Sequence, residues 1–464
     1  MDGNFKFIKQ LSCFAGVVFL FISLCLITPY GICEDSNAAG VMLSSLKDAV
    51  SIAFKNNKDI RIQEEEIEVA RANILGAKSA FLPKLNASFG YTHNATVLSL
   101  SSATTSKKDA GVLAGYKNDN KIGVSLDESI YNGGADIANF KQAQLGLKVQ
   151  EETLRARKLD VEFETKRLYY GLLLAYETER ITQGLVNQAK SHYEDVKEKF
   201  KEGTASRFDV LQSKVQVSKL VPELVKAKNA VDLIMADLKK LLGFKMQDSI
   251  TVKEKLGYSS IQIKEDEFLK LAYLDKPEMI LKSLGIDISK WSIQMAKAGN
   301  RPQISADLGY SYRSNNLGNM FNARHNNWNA GVAVTIPIFD GFSTKAKVDE
   351  AKARYAQATL EKENLSDQIT VDIKQSCLDL NQAQAIIDAS KDNIEEAKEA
   401  LRIAEVSYDN GVGTNLDVLD TQVSLSQIEQ NYSSAIYDYL MAKAYLDRTM
   451  GQGYLQEAKN EKKD

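Results

Sequence analysis

The spacing of apolar positions along this chain switches from helical to alternating and back, then passes through the same changes a second time. A helical period over about 44–80 stops at Pro83, because a proline biases its predecessor away from helical backbone. Leu85, Ala87, Phe89 and Tyr91 then alternate with Asn86, Ser88, Gly90 and Thr92, which predicts a strand with one apolar face. Ile122, Val124 and Leu126 alternate with Gly123, Ser125 and Asp127 in a returning strand, and Gly133 and Gly134 mark the turn into a helix over about 135–201. A shorter helix over about 207–242 follows, and Pro222 inside it predicts a kink. The second passage has a helix over about 266–299 ending at Pro302, and alternation at Ile304, Ala306, Leu308, Tyr310 and Tyr312. A returning strand follows at Ala330, Val332, Val334 and Ile336, then Gly341 and helices over about 343–409 and 415–450.

The two passages are copies. Gly203 and Gly411, Asp209 and Asp417, and Gly243 and Gly451 all stand 208 positions apart, as do "SIYNGG" (129–134) and "PIFDGF" (337–342). Upstream, "AKSAFLPKLNASFGY" (77–91) matches "AKAGNRPQISADLGY" (296–310) at an offset of 219, so the first copy holds about eleven extra residues between 91 and 121. That stretch is polar and rich in Gly and Ser, as a lengthened loop would be. A helix over 135–201 is on the order of 100 Å long at ~1.5 Å per residue, more than any compact domain needs. "EGTASRFDVLQ" (202–212) and "NGVGTNLDVLD" (410–420) interrupt the helical pattern at matching places, and predict the tips of two antiparallel hairpins.

Composition narrows the setting. Among 464 residues, 58 Lys and Arg nearly balance 61 Asp and Glu, with no basic block and no zinc spacing, so nucleic acid is not an expected partner. Lys6 and Lys9 precede an apolar core over 11–27, and Gly31 and Cys33 occupy small-residue positions before a cleavage site. Residues 1–33 are therefore expected to be a signal peptide, a membrane anchor being the competing reading. Leu24 and Ile32 before Cys25 and Cys33 do not favour lipidation. With Cys13, Cys25 and Cys33 in that segment, Cys377 is the single thiol of the exported chain, and no internal disulfide is expected. Beyond residue 33 no apolar run has the length of a transmembrane helix, so a membrane crossing must use strands. Four strands of about 9–11 residues suit that length, with Phe89, Tyr91, Tyr310, Tyr312 and Trp328 near their ends. Four strands cannot close a barrel and an open edge cannot face lipid, so copies of the chain would have to pool strands into eight, twelve or sixteen. The competing soluble four-stranded sheet would need a second apolar face. The long helices carry no single clean apolar stripe, as walls of a cylinder would not, although an ordinary coiled coil is the alternative.

The signal segment, the tandem helix–strand–strand–helix plan, the prolines at the strand entries and the "GTNLDVLD" tip together resemble the TolC-like outer-membrane efflux proteins, over essentially the whole exported chain. The resemblance implies a mainly α fold with a membrane β-barrel portion: a trimer whose long helical hairpins form an α-barrel, topped by a twelve-stranded barrel with four strands per chain. It implies an exit duct in the outer membrane that extends into the periplasm, working with a periplasmic adaptor and an inner-membrane pump. It places repeats at 34–243 and 265–451, an equatorial segment at 244–264 and a tail at 452–464. An acidic ring at the periplasmic aperture would fall to Asp417 and Asp420, which share a helix face at i and i+3. Asp209 and Tyr408 match members of the family's gate links. Its expected arginine is Gly413 here, with Arg207 a candidate substitute. Adaptor hairpins would dock at Gly203, Thr204, Gly411, Gly413 and Thr414.

Helix capping explains part of the same pattern. Ser206 with Asp209, and Thr414 with Asp417, both fit a capping box, a reading compatible with a lumenal role. Asp420 lies beyond the first turn and escapes it. His93, His192 and His325 share no spacing, so no metal site is expected. No cofactor is expected and no catalytic constellation is visible, so the chain is not expected to be an enzyme. Two functions compete: a passive duct, and an exported structural rod without transport. Alternating strands and matched tips favour the duct.

Overall fold

The computed structural model describes residues 41–43, 45–96, 99–100, 112–113, 116–252, 254–321 and 326–453. The expected signal peptide, Cys13, Cys25, Cys33 and His325 lie outside the described residues, as does the tail from 454 onward. The chain divides into two units, 1–41 with 248–250 and the remainder. Only residue 41 and residues 248–250 of the first are described, and everything below concerns the second.

Two short helices open the first copy, α1 (Leu46–Asn56) and α2 (Lys58–Lys78), where one helix was expected. The break is Asn57, whose backbone is extended (φ −64°, ψ 129°). Its side-chain carbonyl accepts from the amides of Asp59 and Ile60, capping α2. Strands β1 (Lys84–His93) and β2 (Asn118–Asn132) follow, then α3 (Ala135–Lys201) and α4 (Arg207–Leu241). The second copy has α5 (Glu265–Asp275), α6 (Pro277–Lys297), β3 (Gln303–Ser314), β4 (Asn326–Thr335), α7 (Ser343–Asp409) and α8 (Asn415–Thr449). Here too the expected single helix is two, because Pro277 opens α6 and holds Lys276 extended. Helix α4 continues through Pro222 as one span. In the lengthened loop, Ser99–Leu100 pairs with Val112–Leu113.

The four main strands form one antiparallel sheet in the order β1-β2-β3-β4. Its register sorts side chains by face. Leu85 pairs with Leu126, Leu126 with Leu308 and Leu308 with Ala330. Val124 pairs with Tyr310, and Tyr310 with Trp328. Since alternate residues point to opposite faces, the large apolar side chains of the paired positions, Leu85, Phe89, Val124, Leu126, Leu308, Tyr310, Trp328, Val332 and Val334 among them, fall on one side. The other side carries Asn86, Ser125, Gly309 and Asn329, and its amides hydrogen-bond carboxylates: Asn86 to Asp127 and Asn329 to Asp307. Among the described residues nothing covers the apolar side: Leu85 is 72% exposed, Trp328 70% and Val332 69%. Strands β1 and β4 have no strand paired to their outer edges among the described residues.

Below the sheet, the hairpins α3–α4 and α7–α8 pack side by side through α3 and α8. On α7, Ile369, Ile373, Cys377, Leu380, Ala383 and Ile387 recur every three or four residues and meet Ile436, Tyr439 and Leu446 of α8. Leu256, Tyr258, Ile261 and Ile263 lie across this cluster, where the Tyr439 hydroxyl accepts from the Ile261 amide at 2.9 Å. The outer faces of α4 and α7 keep apolar residues such as Val215, Val225, Leu378 and Ile403 exposed.

Candidate functional site: the paired hairpin tips

Both tips are built the same way. Helix α3 ends at Gly203, whose φ of 80° lies in the left-handed region that glycine adopts without steric cost. The amides of Thr204 and Ala205 then turn back to the Lys199 carbonyl at 2.8 and 3.2 Å. Helix α7 ends at Gly411 (φ 74°), and the amides of Val412 and Gly413 turn back to the Ser407 carbonyl, both at 2.9 Å. Ser206 caps α4: its hydroxyl accepts from the Asp209 amide at 3.1 Å, and the Asp209 carboxylate accepts from the Ser206 amide at 3.0 Å. Thr414 and Asp417 repeat this reciprocal pair on α8 at 3.2 and 2.8 Å. The Thr414 hydroxyl and amide hold the Asp417 carboxyl below the usual aspartate range.

The sequence-predicted residues separate on this frame. Asp209 and Asp417 are committed to their caps, while Asp420 is exposed and makes no hydrogen bond or ion pair among the described residues. Asp420 lines a groove of about 600 Å³ between α4 and α8, together with Lys219, Gln216 and Gln427. Arg207 is exposed and contacts no acid among the described residues. Gly413 stands where the resemblance implies an arginine, and a Cβ there would lie 2.9 Å from the Ser407 Cβ and 3.0 Å from the Tyr408 amide nitrogen. A side chain at 413 would force this turn to shift. Gly203, Thr204 and Gly411 are exposed on the turns.

Around Tyr408, the tips are joined by Lys199, Asp409 and Asn415, which the sequence did not single out. Lys199 of α3 reaches the Asp409 carboxylate at the end of α7 at 2.7 Å, and its ammonium lies 4.4 Å from the centre of the Tyr408 ring, a cation–π contact. The Tyr408 hydroxyl is buried without a hydrogen-bond partner among the described residues. Burial, then the negative charges of Asp209 and Asp409, push its pKa up, so it stays protonated and able to donate. Beneath it, Asn415 is a buried hub at the start of α8. Its side-chain oxygen contacts His192 Nε2 of α3 at 2.7 Å and accepts from the Ser213 hydroxyl of α4 at 3.1 Å. Its amide nitrogen donates to Gln212 at 3.0 Å. An oxygen that accepts both bonds requires the proton on His192 Nε2. One side chain thus pins three helices, and no group of three or more His, Cys, Asp or Glu suited to a metal occurs among the described residues.

The family model of outer membrane efflux proteins matches residues 49–244 and 275–452. Over 418 residues the chain is 20% identical to outer membrane protein TolC of Vibrio cholerae, covering 89% of this chain and 92% of that protein. It is also 20% identical to the alkaline protease secretion protein AprF of Pseudomonas aeruginosa, covering 89% and 84%. Among solved structures, the Campylobacter jejuni CmeC outer membrane channel superposes with a TM-score of 0.77 at 19% identity, over 94% of this chain and 98% of that one. The chain belongs to the outer membrane efflux protein family: it is an outer-membrane channel protein of the efflux and secretion class, with the helical-hairpin and sheet fold of those channels.

Proposed function

We propose that three copies of this chain close a twelve-stranded barrel in the outer membrane and a cylinder of helices in the periplasm, forming the exit duct of a tripartite efflux or type I secretion system. An inner-membrane pump drives transport and a periplasmic adaptor docks on the turns at Gly203, Thr204, Gly411, Gly413 and Thr414. The chain itself conducts passively and performs no bond chemistry. The observation that carries this reading is the sheet, which among the described residues has one apolar face bare, its other face mainly polar and both edges unpaired. In water such a sheet would aggregate; in a bilayer a lone copy would expose its edges to hydrocarbon. Closure with further copies meets both demands, and leaves the polar face lining a lumen.

At the other end, Asp420 and Asp417 of each copy would place six carboxylates around one axis, which favours cations. Asp420 is free to face the passage, whereas Asp417 divides its carboxylate between the lumen and its cap. The links between the tips, Asp209 and Tyr408 with Lys199 and Asn415, hold the hairpins together at rest. Arg207, which meets no acid among the described residues of its own chain, is left to meet an acid of a neighbouring copy. Cargo would be selected by the pump. Native mass spectrometry of the protein extracted from outer membranes tests the assembly: the expected mass is that of three chains, and a folded monomer would overturn the proposal.

A further inference from the structure

The internal repeat specifies more than the plan of one chain. Within the chain, the β1–β2 and β3–β4 hairpins have the same register once strand-entry residues are shifted by 219 and returning-strand residues by 208. Leu85 against Leu126 becomes Ile304 against Val334, Phe89 against Ile122 becomes Leu308 against Ala330, and Tyr91 against Asn120 becomes Tyr310 against Trp328. The junction between copies of the repeat, β2 on β3, is present once in the chain; its counterpart would be β4 on β1 of another copy.

Three observations mark β4 as lacking that partner. Strand β2 runs to Asn132, and beyond Asp127 its neighbour is β3 alone, since β1 begins opposite Asp127. The matching residues after Thr335 are not strand, because β3 itself begins opposite Thr335. They are apolar and bare: Ile338 is 97% exposed and Phe339 75%. Finally, Phe342 is the one non-glycine among the described residues with positive φ, at 67°. Its counterpart is Gly134, where a Cβ would lie 3.2 Å from the Arg301 guanidinium that bonds the Gly133 carbonyl. Across the repeat Arg301 becomes Leu82. An aromatic side chain in the left-handed region is strained, and the one ring contact Phe342 makes among the described residues is with Phe339, edge-on, while the side chain stays exposed.

We propose that β4 and the segment following it pair with β1 of the next copy in the register that β2 holds on β3. This rests on the multi-copy barrel proposed above and adds its register. Val332 then faces Tyr91 of the next copy, Val334 faces Phe89, Thr335 faces Ser88, and Phe339 faces Leu85. Val332, Val334 and Phe339 each meet a large apolar side chain, which a slip by one residue would undo. Asp340 meets Lys84, an opposite-charge pair at the membrane edge. Phe342 lies over Leu82, an apolar contact that takes the place of the Arg301–Gly134 approach inside the chain. Residues 336–340 become strand when the next copy arrives.

Paired cysteines test the register, in a Cys377→Ser background. Directly opposed strand residues lie within disulfide range. Ser88→Cys with Thr335→Cys, two small exchanges on the polar face, is expected to give covalent dimers and trimers on non-reducing gels. Ser88→Cys with Ala333→Cys, two residues out of register, is expected to give at least tenfold less. Phe339→Cys with Leu85→Cys should repeat the first result at the membrane edge. Cross-linking of the shifted pair instead would overturn the register and leave the barrel standing. No cross-link from any pair, with monomers in solution, would overturn the register and the multi-copy barrel together.

Discussion

Replacing Leu308 by arginine is expected to stop the protein from assembling in the outer membrane. Leu308 sits mid-sheet, paired with Leu126 on one side and Ala330 on the other, and its side chain is half exposed on the bare apolar face. An arginine on the lipid face of a barrel costs roughly 2–4 kcal/mol near the bilayer midplane, and a three-copy barrel would bear it three times, roughly 6–12 kcal/mol per assembly. Ser311→Arg, on the polar face of the same strand, should insert normally and alter conduction. Membrane fractionation of the two variants separates these outcomes. Equal insertion of both would mean that the apolar face does not meet lipid.

Replacing Asn415 by alanine is expected to cost about 2–4 kcal/mol of stability, the largest effect of any single polar change at the tips. The change leaves Ser213 and His192 facing a void where both had bonded one oxygen, and removes the donor to Gln212. Because these partners come from α3 and α4, the loss should part the two hairpins at their tips rather than unfold either one. Lys199→Met, which removes a partly exposed ion pair, should cost no more than about 1 kcal/mol. Denaturant midpoints followed by helical circular dichroism measure both, and equal effects would show that the hub is not where the hairpins are fastened. In a bilayer, Asn415→Ala should lengthen open dwell times.

The strands were legible because they alternate and start just after Pro83, Pro302 or a loop, and the four long helices because matching glycines, Gly203 with Gly411 and Gly243 with Gly451, close them in both copies. The interruptions at residues 57 and 276 were not, since one asparagine within "KNNKD" caps a helix only when its backbone is extended. Pro277 did carry a signal: a proline inside a helical pattern marks a first helical turn. Among the tip residues, caps follow from local spacing and were readable. The Asn415 hub was not, because His192 and Asn415 are 223 residues apart and periodicity does not say which faces of two hairpins meet. The repeat itself held a clue to Lys199 and Asp409. Their separation of 210 is close to the repeat offset of 208, which sets them at the same level on adjacent hairpins.

The measurement closest to the central claim is single-channel recording of the membrane-extracted oligomer in a planar bilayer, wild type beside Asp420→Asn. The account predicts discrete conductance steps that favour cations, and a clear loss of that preference in the variant, with the steps themselves retained. Folded, membrane-extracted protein that produces no steps would contradict it, and would leave the hairpins and their matched tips as parts of a rod.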